Sequence, residues 1–237
     1  MSTQTGRIFV ALDTTSVDDA CALTKRLKGS VGGVKLGLEF FTANGGAGVR
    51  AVQRTGLPLF LDLKFHDIPN TVAGAVRAAV QLRPKILNVH AAGGPAMMRA
   101  AAQAASEAAK AHNVPRPLVI AVTVLTSLDA DDLDAVGQTG PSADQTLRLA
   151  RLTQQCGLDG VVCSPKEAAD VRAACGPDFK LIVPGIRPNL SLSSDQKRTA
   201  SPADAVSAGA DYLVIGRPIT RAPDPAAAAR AMAAALG

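Results

Sequence analysis

Leu57-Pro-Leu-Phe-Leu-Asp62-Leu-Lys64-Phe-His66-Asp67-Ile-Pro69-Asn-Thr71 is the stretch on which the fold turns. Its first half is an apolar run that reads as a strand. Its second half carries an acid and a proline, which are helix-entrance residues. Strand side chains alternate faces, so the pattern puts Asp62, Lys64 and His66 on one face. Charges in so apolar a strand are costly unless paired, and opposite charges two residues apart offset that cost together. The bland alternatives are a buried Asp62–Lys64 ion pair with no chemistry, and an Asp67 that only caps the helix beginning at Ile68-Pro69. His66 reads as a structural or supporting residue.

Outward from this segment, similar β-branched apolar runs recur at 8–13, 31–38, 57–65, 86–90, 118–126, 160–164, 180–187 and 212–216. Such near-continuous hydrophobicity is what parallel strands buried on both faces require. Ala-rich stretches with helical periodicity lie between them, for example 17–28, 71–82, 95–112, 144–156 and 225–236. Ser16 can cap the first, Gly29 follows it, and Pro95 and Pro225 stand at entrances. Alternating strand and helix predicts right-handed βαβ units. Eight of them close into a single-domain (β/α)8 TIM barrel of class α/β covering 1–237; a doubly wound open sheet is the alternative on pattern alone. The longest connections, 127–143 and 188–210, both follow strands and therefore fall on the face where such barrels carry their chemistry.

Composition narrows the function. A chain of 237 residues can bury a core without disulfides or metals, and 47% hydrophobic with 19% charged residues excludes a disordered chain. Trp is absent and Tyr occurs once, against a stacking platform for single-stranded nucleic acid. The net charge of +5 comes from scattered Lys and Arg; the tightest groups are Lys25-Arg26-Lys28 and Lys197-Arg198. That balance suits steering of a small anion rather than a nucleic-acid partner. Cys21, Cys156, Cys163 and Cys175 form no C-x-x-C pair, and reduced thiols in a cytoplasmic protein are the expectation. No signal-peptide core opens the chain and no apolar run reaches membrane-spanning length.

Other strand ends carry charge. Lys35 lies in Val-Gly-Gly-Val-Lys35-Leu-Gly-Leu and, with Asp62, Lys64 and Asp67, makes an alternating set; Asp13 closes the first run. Taken singly, Lys35 is a rim residue and Asp13 a loop cap. Arg187 in Pro-Gly-Ile-Arg187-Pro and Arg217 in Ile-Gly216-Arg217-Pro end the last two strands. Loops after strands seven and eight are common phosphate sites in TIM barrels, and arginine matches phosphate through its fork. Gly185 and Gly216 let backbone approach an anion.

Asp62-Leu-Lys64-Phe-His66-Asp67-Ile-Pro69-Asn-Thr71 resembles the signature of the orotidine 5′-phosphate decarboxylase family, in its bacterial form. So do Ala-Leu-Asp13, Val-Lys35-Leu-Gly, Asn-Val-His90-Ala, Val-Thr-Val-Leu-Thr126-Ser127, Pro-Gly-Ile-Arg187-Pro, Asp-Gln196-Lys-Arg and Ile-Gly216-Arg217-Pro-Ile, over nearly the whole chain. The resemblance implies a cofactor-free, metal-free conversion of orotidine 5′-phosphate to UMP. It implies Lys64 as proton donor, Asp62 opposing the substrate carboxylate, and Lys35, Asp13 and Asp67 on the ribose. Arg187, Arg217, Gly216 and Gln196 would hold the phosphate, and Thr126 and Ser127 the pyrimidine. Asp67 and Thr71 would be lent across a homodimer. The D-x-K-x-x-D core alone is shared with Mg²⁺-dependent sugar-phosphate relatives, which carry an acid where this chain has Lys35. A binding barrel without catalysis would be expected to lose part of the charged set.

Overall fold

The structure is a computed structural model that describes residues 4–138, 140–187 and 199–236. Eight parallel strands close in sequence order into a barrel: β1 (Ile8–Ala11), β2 (Gly33–Gly37), β3 (Leu59–Phe65), β4 (Ile86–His90), β5 (Leu118–Val122), β6 (Gly160–Val162), β7 (Lys180–Val183) and β8 (Tyr212–Ile215). The main helices between them are α1 (Val17–Leu27), α2 (Leu38–Gln53), α3 (Pro69–Val80) and α4 (Gly94–Ala111), then α6 (Ser142–Gln155), α7 (Ala168–Cys175) and α10 (Pro225–Ala234). The open-sheet alternative is thereby excluded. Three shorter helices sit in loops: α5 (Ala130–Ala135), α8 (Pro202–Ser207) and α9 (Arg217–Thr220).

The two-residue strand period sorts the apolar residues into two cores. Phe9, Phe60, Ile86, Ile120 and Ile182 face inward and fill the barrel. Their neighbours Ile8, Val10, Leu59, Leu61, Leu87, Val119 and Leu181 face outward against the helices. Gly33 belongs to this packing, since a Cβ there would lie 2.4 Å from the Phe9 ring. At the lower end, the Lys85 ammonium sits 5.7 Å from the Phe9 ring centre and 5.1 Å from that of Tyr212. Lys85 thus covers two rings of the inner layer at this end, away from the C-terminal ends of the strands.

The structure trims several runs read from hydrophobicity. The run 118–126 belongs to a barrel strand only as far as Val122, and 180–187 only as far as Val183. Val124 and Ile186 are nevertheless buried, and Ile186 makes an isolated parallel bridge to Ala200 outside the barrel ladder, so their apolar character reflects packing at the barrel mouth. Pro184 also lacks the N–H that the β7 ladder would need. Within the long connection 127–143, Asp129 and Asp132 close a capping box that starts α5. Ser201 likewise caps α8 in the connection 188–210. Glycines at 45, 46 and 48 do not prevent α2, although the helix breaks its geometry at Gly45.

Candidate active site

One strand step above the inward apolar layer, the residues become polar. Lys35 follows Gly33 on β2, Asp62 follows Phe60 on β3, and Asn88 follows Ile86 on β4. With Ala11, Val122 and Pro184 they form the floor of a cavity of about 490 Å³ at the open end of the barrel. Asp13, Lys64, Thr126, Ser127, Gly185, Arg187, Gly216 and Arg217 also line it, beside apolar residues that include Phe60 and Ile182. Nine of the twelve residues singled out from sequence as catalytic or binding thus line one space. In the closed strand order β7 lies across the barrel from β3, so Arg187 faces Lys64 over the cavity.

The charges form a chain. Lys35 Nζ is 3.9 Å from Asp13 Oδ1 and 3.1 Å from Asp62 Oδ2. Lys64 Nζ donates to Asp62 Oδ1 at 2.6 Å. Asn88 Nδ2 donates to the same oxygen at 2.8 Å. Asp62 is buried, with 10% of its side chain accessible, and stands between two ammonium groups. Burial pushes its carboxyl up, but the charges of Lys35 and Lys64 and the hydrogen bonds from Lys64 and Asn88 outweigh this and hold its pKa at about 2.

Acid stability should report that carboxylate. Its pKa falls from 3.8 to about 2 on folding, so between those values the unfolded chain binds more protons than the folded one. The contribution is therefore present above pH 3.8 and lost as pH falls through about 2, and it amounts to about 2 kcal/mol. Denaturant titrations down to pH 2 should show Asp62→Asn losing less stability over that window than the wild type, by about this amount. Parallel curves would refute the assignment.

The alternation read from the sequence holds as far as Asp62 and then breaks. Lys64 has φ +50°, a left-handed backbone rare outside glycine. The pairing of β3 with β4 shifts register between Leu61 and Phe65. Lys64 still points at Asp62, but His66 leaves the cavity wall and packs on His90, with ring centres 5.5 Å apart. Burial, with His66 and Lys64 nearby, pushes the His90 pKa below its usual value, so His90 is neutral at pH 7.

Asp67 and Thr71 are exposed and lie outside the cavity of their own chain. Asp67 accepts from the Ile68 N–H at 2.6 Å, while Ile68 occupies the cap position of α3. The helix-cap alternative is therefore not realised. Gln196 lies outside the described residues.

On the anion side, Arg187 is buried, its guanidinium donates to Ile186 O at 3.0 Å, and its N–H donates to Ala200 O. Gly185, with φ +79°, makes the turn that brings Arg187 round. Gly216 caps the single turn of α9, and Arg217 is that turn's first residue. Among the described residues, no group of three or more His, Cys, Asp or Glu is placed to hold a metal ion. No helix there is long and apolar enough to cross a membrane.

Sequence reading passed over Asn88, which is 1% exposed. Its signal was an amide inside the otherwise apolar Ile-Leu-Asn88-Val, because a buried amide must find partners.

Residues 6–232 match the family model described as orotidine 5′-phosphate decarboxylase / HUMPS family. The orotidine 5′-phosphate decarboxylase of Rhodospirillum rubrum is 60% identical over 227 residues, 95% of this chain and 92% of the relative. That of Paramagnetospirillum magneticum is 57% identical, covering 97% of this chain and 98% of the relative. Among solved structures, orotidine 5′-phosphate decarboxylase from Lactobacillus acidophilus superposes with a TM-score of 0.86 at 35% identity, covering 97% of this chain and 98% of that one.

Proposed function

Because the chain belongs to the orotidine 5′-phosphate decarboxylase / HUMPS family, we propose that its cavity divides the substrate among three groups of residues. The reaction is the decarboxylation of orotidine 5′-phosphate to UMP, the final step of pyrimidine biosynthesis.

Lys64 is the proton donor. When the bond from C6 to the carboxylate breaks, its electron pair stays on C6 in an orbital that the ring does not delocalise well. The Lys64 ammonium stabilises that charge, gives its proton to C6, and regains one from solvent. Asp62 meets the substrate carboxylate, disfavours it, and holds Lys64 in place. Two like charges at 4 Å cost about 4 kcal/mol at an effective dielectric near 20. The ribose hydroxyls fall to Lys35, Asp13 and Asp67, and the pyrimidine to Thr126 and Ser127. Arg187, Arg217, Gly216 and Gln196 take the phosphate. One observation carries this reading: an Asp13–Lys35–Asp62–Lys64 chain of charges faces a pair of arginines across one cavity. The four cations there outnumber the two carboxylates, as a substrate with a phosphate and a carboxylate requires. Lys35 and Lys64 already neutralise Asp62, which leaves no spare carboxylate cluster there for a divalent metal.

Asp67 and Thr71 act in the neighbouring protomer of a homodimer. Their exposure supports this, as do the exposed apolar side chains of Ile68 beside Asp67 and Leu38 at the end of β2. The catalytic unit is one domain over residues 1–237. It works in the cytoplasm, where its free cysteines stay reduced.

Subunit mixing tests the shared site. Lys64→Ala and Asp67→Ala should each be nearly inactive. After subunit exchange, half of the dimers would be mixed, each with one complete site, restoring about a quarter of wild-type activity. An inactive mixture would mean that Asp67 serves its own protomer or none.

A further inference from the structure

The irregular stretch of β3 has a single support on β4. Leu61 pairs with Leu87 and Phe65 with Val89, so four residues of β3 advance against two of β4. The surplus falls at Asp62-Leu63-Lys64, where Lys64 takes its left-handed backbone. Asn88 stands opposite. Its Oδ1 accepts from the Lys64 N–H at 2.8 Å, and its Nδ2 donates to Asp62 Oδ1 at 2.8 Å. Neither partner tolerates the flipped amide, since a backbone N–H only donates and a carboxylate only accepts. Asn88 is 1% exposed, so its amide must find its partners within the protein.

We propose that Asn88 is a positioning residue for the decarboxylation, fixing the Lys64 backbone and the Asp62 carboxylate through one amide. This rests on the roles given above to Lys64 and Asp62. A left-handed lysine persists only where its surroundings hold it, and strain of that kind collects at functional sites. The Asn88 bond to the Lys64 N–H is such a hold. The bond to Asp62 aims the other carboxylate oxygen at Lys35, 3.1 Å away. Asn88 carries no charge, so it orients the ion chain without altering its balance. Serving both partners takes a donor and an acceptor on one planar group, which aspartate, leucine or alanine does not provide.

The test compares kcat and KM for orotidine 5′-phosphate in the wild type, Asn88→Ala, Asn88→Asp and Lys64→Ala, each checked for folding by melting temperature. Asn88→Asp keeps the shape and the acceptor for Lys64 but loses the donor to Asp62, so it serves even if the alanine variant does not fold. A displacement of about 1 Å at reacting groups costs about 100-fold, which is the fall in kcat expected for each folded Asn88 variant. KM should stay within about threefold, because the arginine side of the cavity is untouched. Unchanged kcat in a folded Asn88 variant, or a rise confined to KM, overturns the proposal. If Lys64→Ala is inactive while the Asn88 variants keep wild-type kcat, only the positioning role fails. If Lys64→Ala keeps its kcat, the parent reading fails first.

Discussion

Replacing Lys64 with alanine is expected to lower kcat about 10⁵-fold while leaving the protein folded. Two effects are lost with the one nitrogen. A unit charge 4 Å from the forming carbanion is worth about 4 kcal/mol at an effective dielectric near 20, or about 10³ in rate. Proton delivery by a positioned acid adds about 10²–10⁴. The same atom supplies both, so the combined loss falls short of the largest product. Folding should survive, because Asp62 keeps Lys35 at 3.1 Å and Asn88 at 2.8 Å. Alanine at φ +50° is no more strained than lysine there. Release of CO₂ from orotidine 5′-phosphate by folded variant and wild type is the measurement. A kcat within about tenfold of wild type would leave Lys64 an ordinary buried ion pair.

The barrel was legible because burial on both faces forces a parallel strand to be apolar throughout, and eight such runs alternate with helical periods. The site was legible for the opposite reason. Asp62, Lys64 and Lys35 interrupt apolar runs where an unpaired charge is costly, so their places in the sequence announce their pairing. What stayed hidden depends on geometry that no periodicity encodes. Strict alternation put His66 beside Asp62 and Lys64, whereas the left-handed turn at Lys64 sends it toward His90. Asn88 was quoted as part of a motif but given no task, because its partners lie 24 and 26 positions earlier, on the neighbouring strand. The runs 118–126 and 180–187 read too long, since Val124 and Ile186 are buried at the mouth without joining a ladder. Capping chemistry at Asp129 and Ser201 was present in the sequence, yet α5 and α8 were passed over as loop. Asp67 and Thr71 lie outside the cavity of the chain that carries them, so one chain alone does not link them to the site.

Orotidine without its phosphate is expected to react with a kcat/KM at least about 10⁴-fold below that of orotidine 5′-phosphate. Enzymes lower barriers by roughly 8–23 kcal/mol, and a decarboxylation that leaves a poorly delocalised carbanion needs the upper part of that range. In its proposed role the Lys64 ammonium would supply about 4 kcal/mol at 4 Å and an effective dielectric near 20, so most of the effect must come from elsewhere. The cavity offers one large source. Arg187 and Arg217 follow β7 and β8, across the barrel from β3, and in the proposed arrangement they act on a part of the substrate remote from the breaking bond. Charge-assisted arginine contacts to phosphate are among the stronger hydrogen bonds available. Anchored there as proposed, the substrate would hold its carboxylate against Asp62, an approach that the charges alone oppose. Binding energy gathered at the far end thus lowers the barrier and does not merely tighten the complex. The double variant Arg187→Ala/Arg217→Ala should accordingly lose most of its preference for the phosphorylated substrate. Equal turnover of orotidine and its phosphate by the wild type would show that the arginines bind without assisting the chemistry.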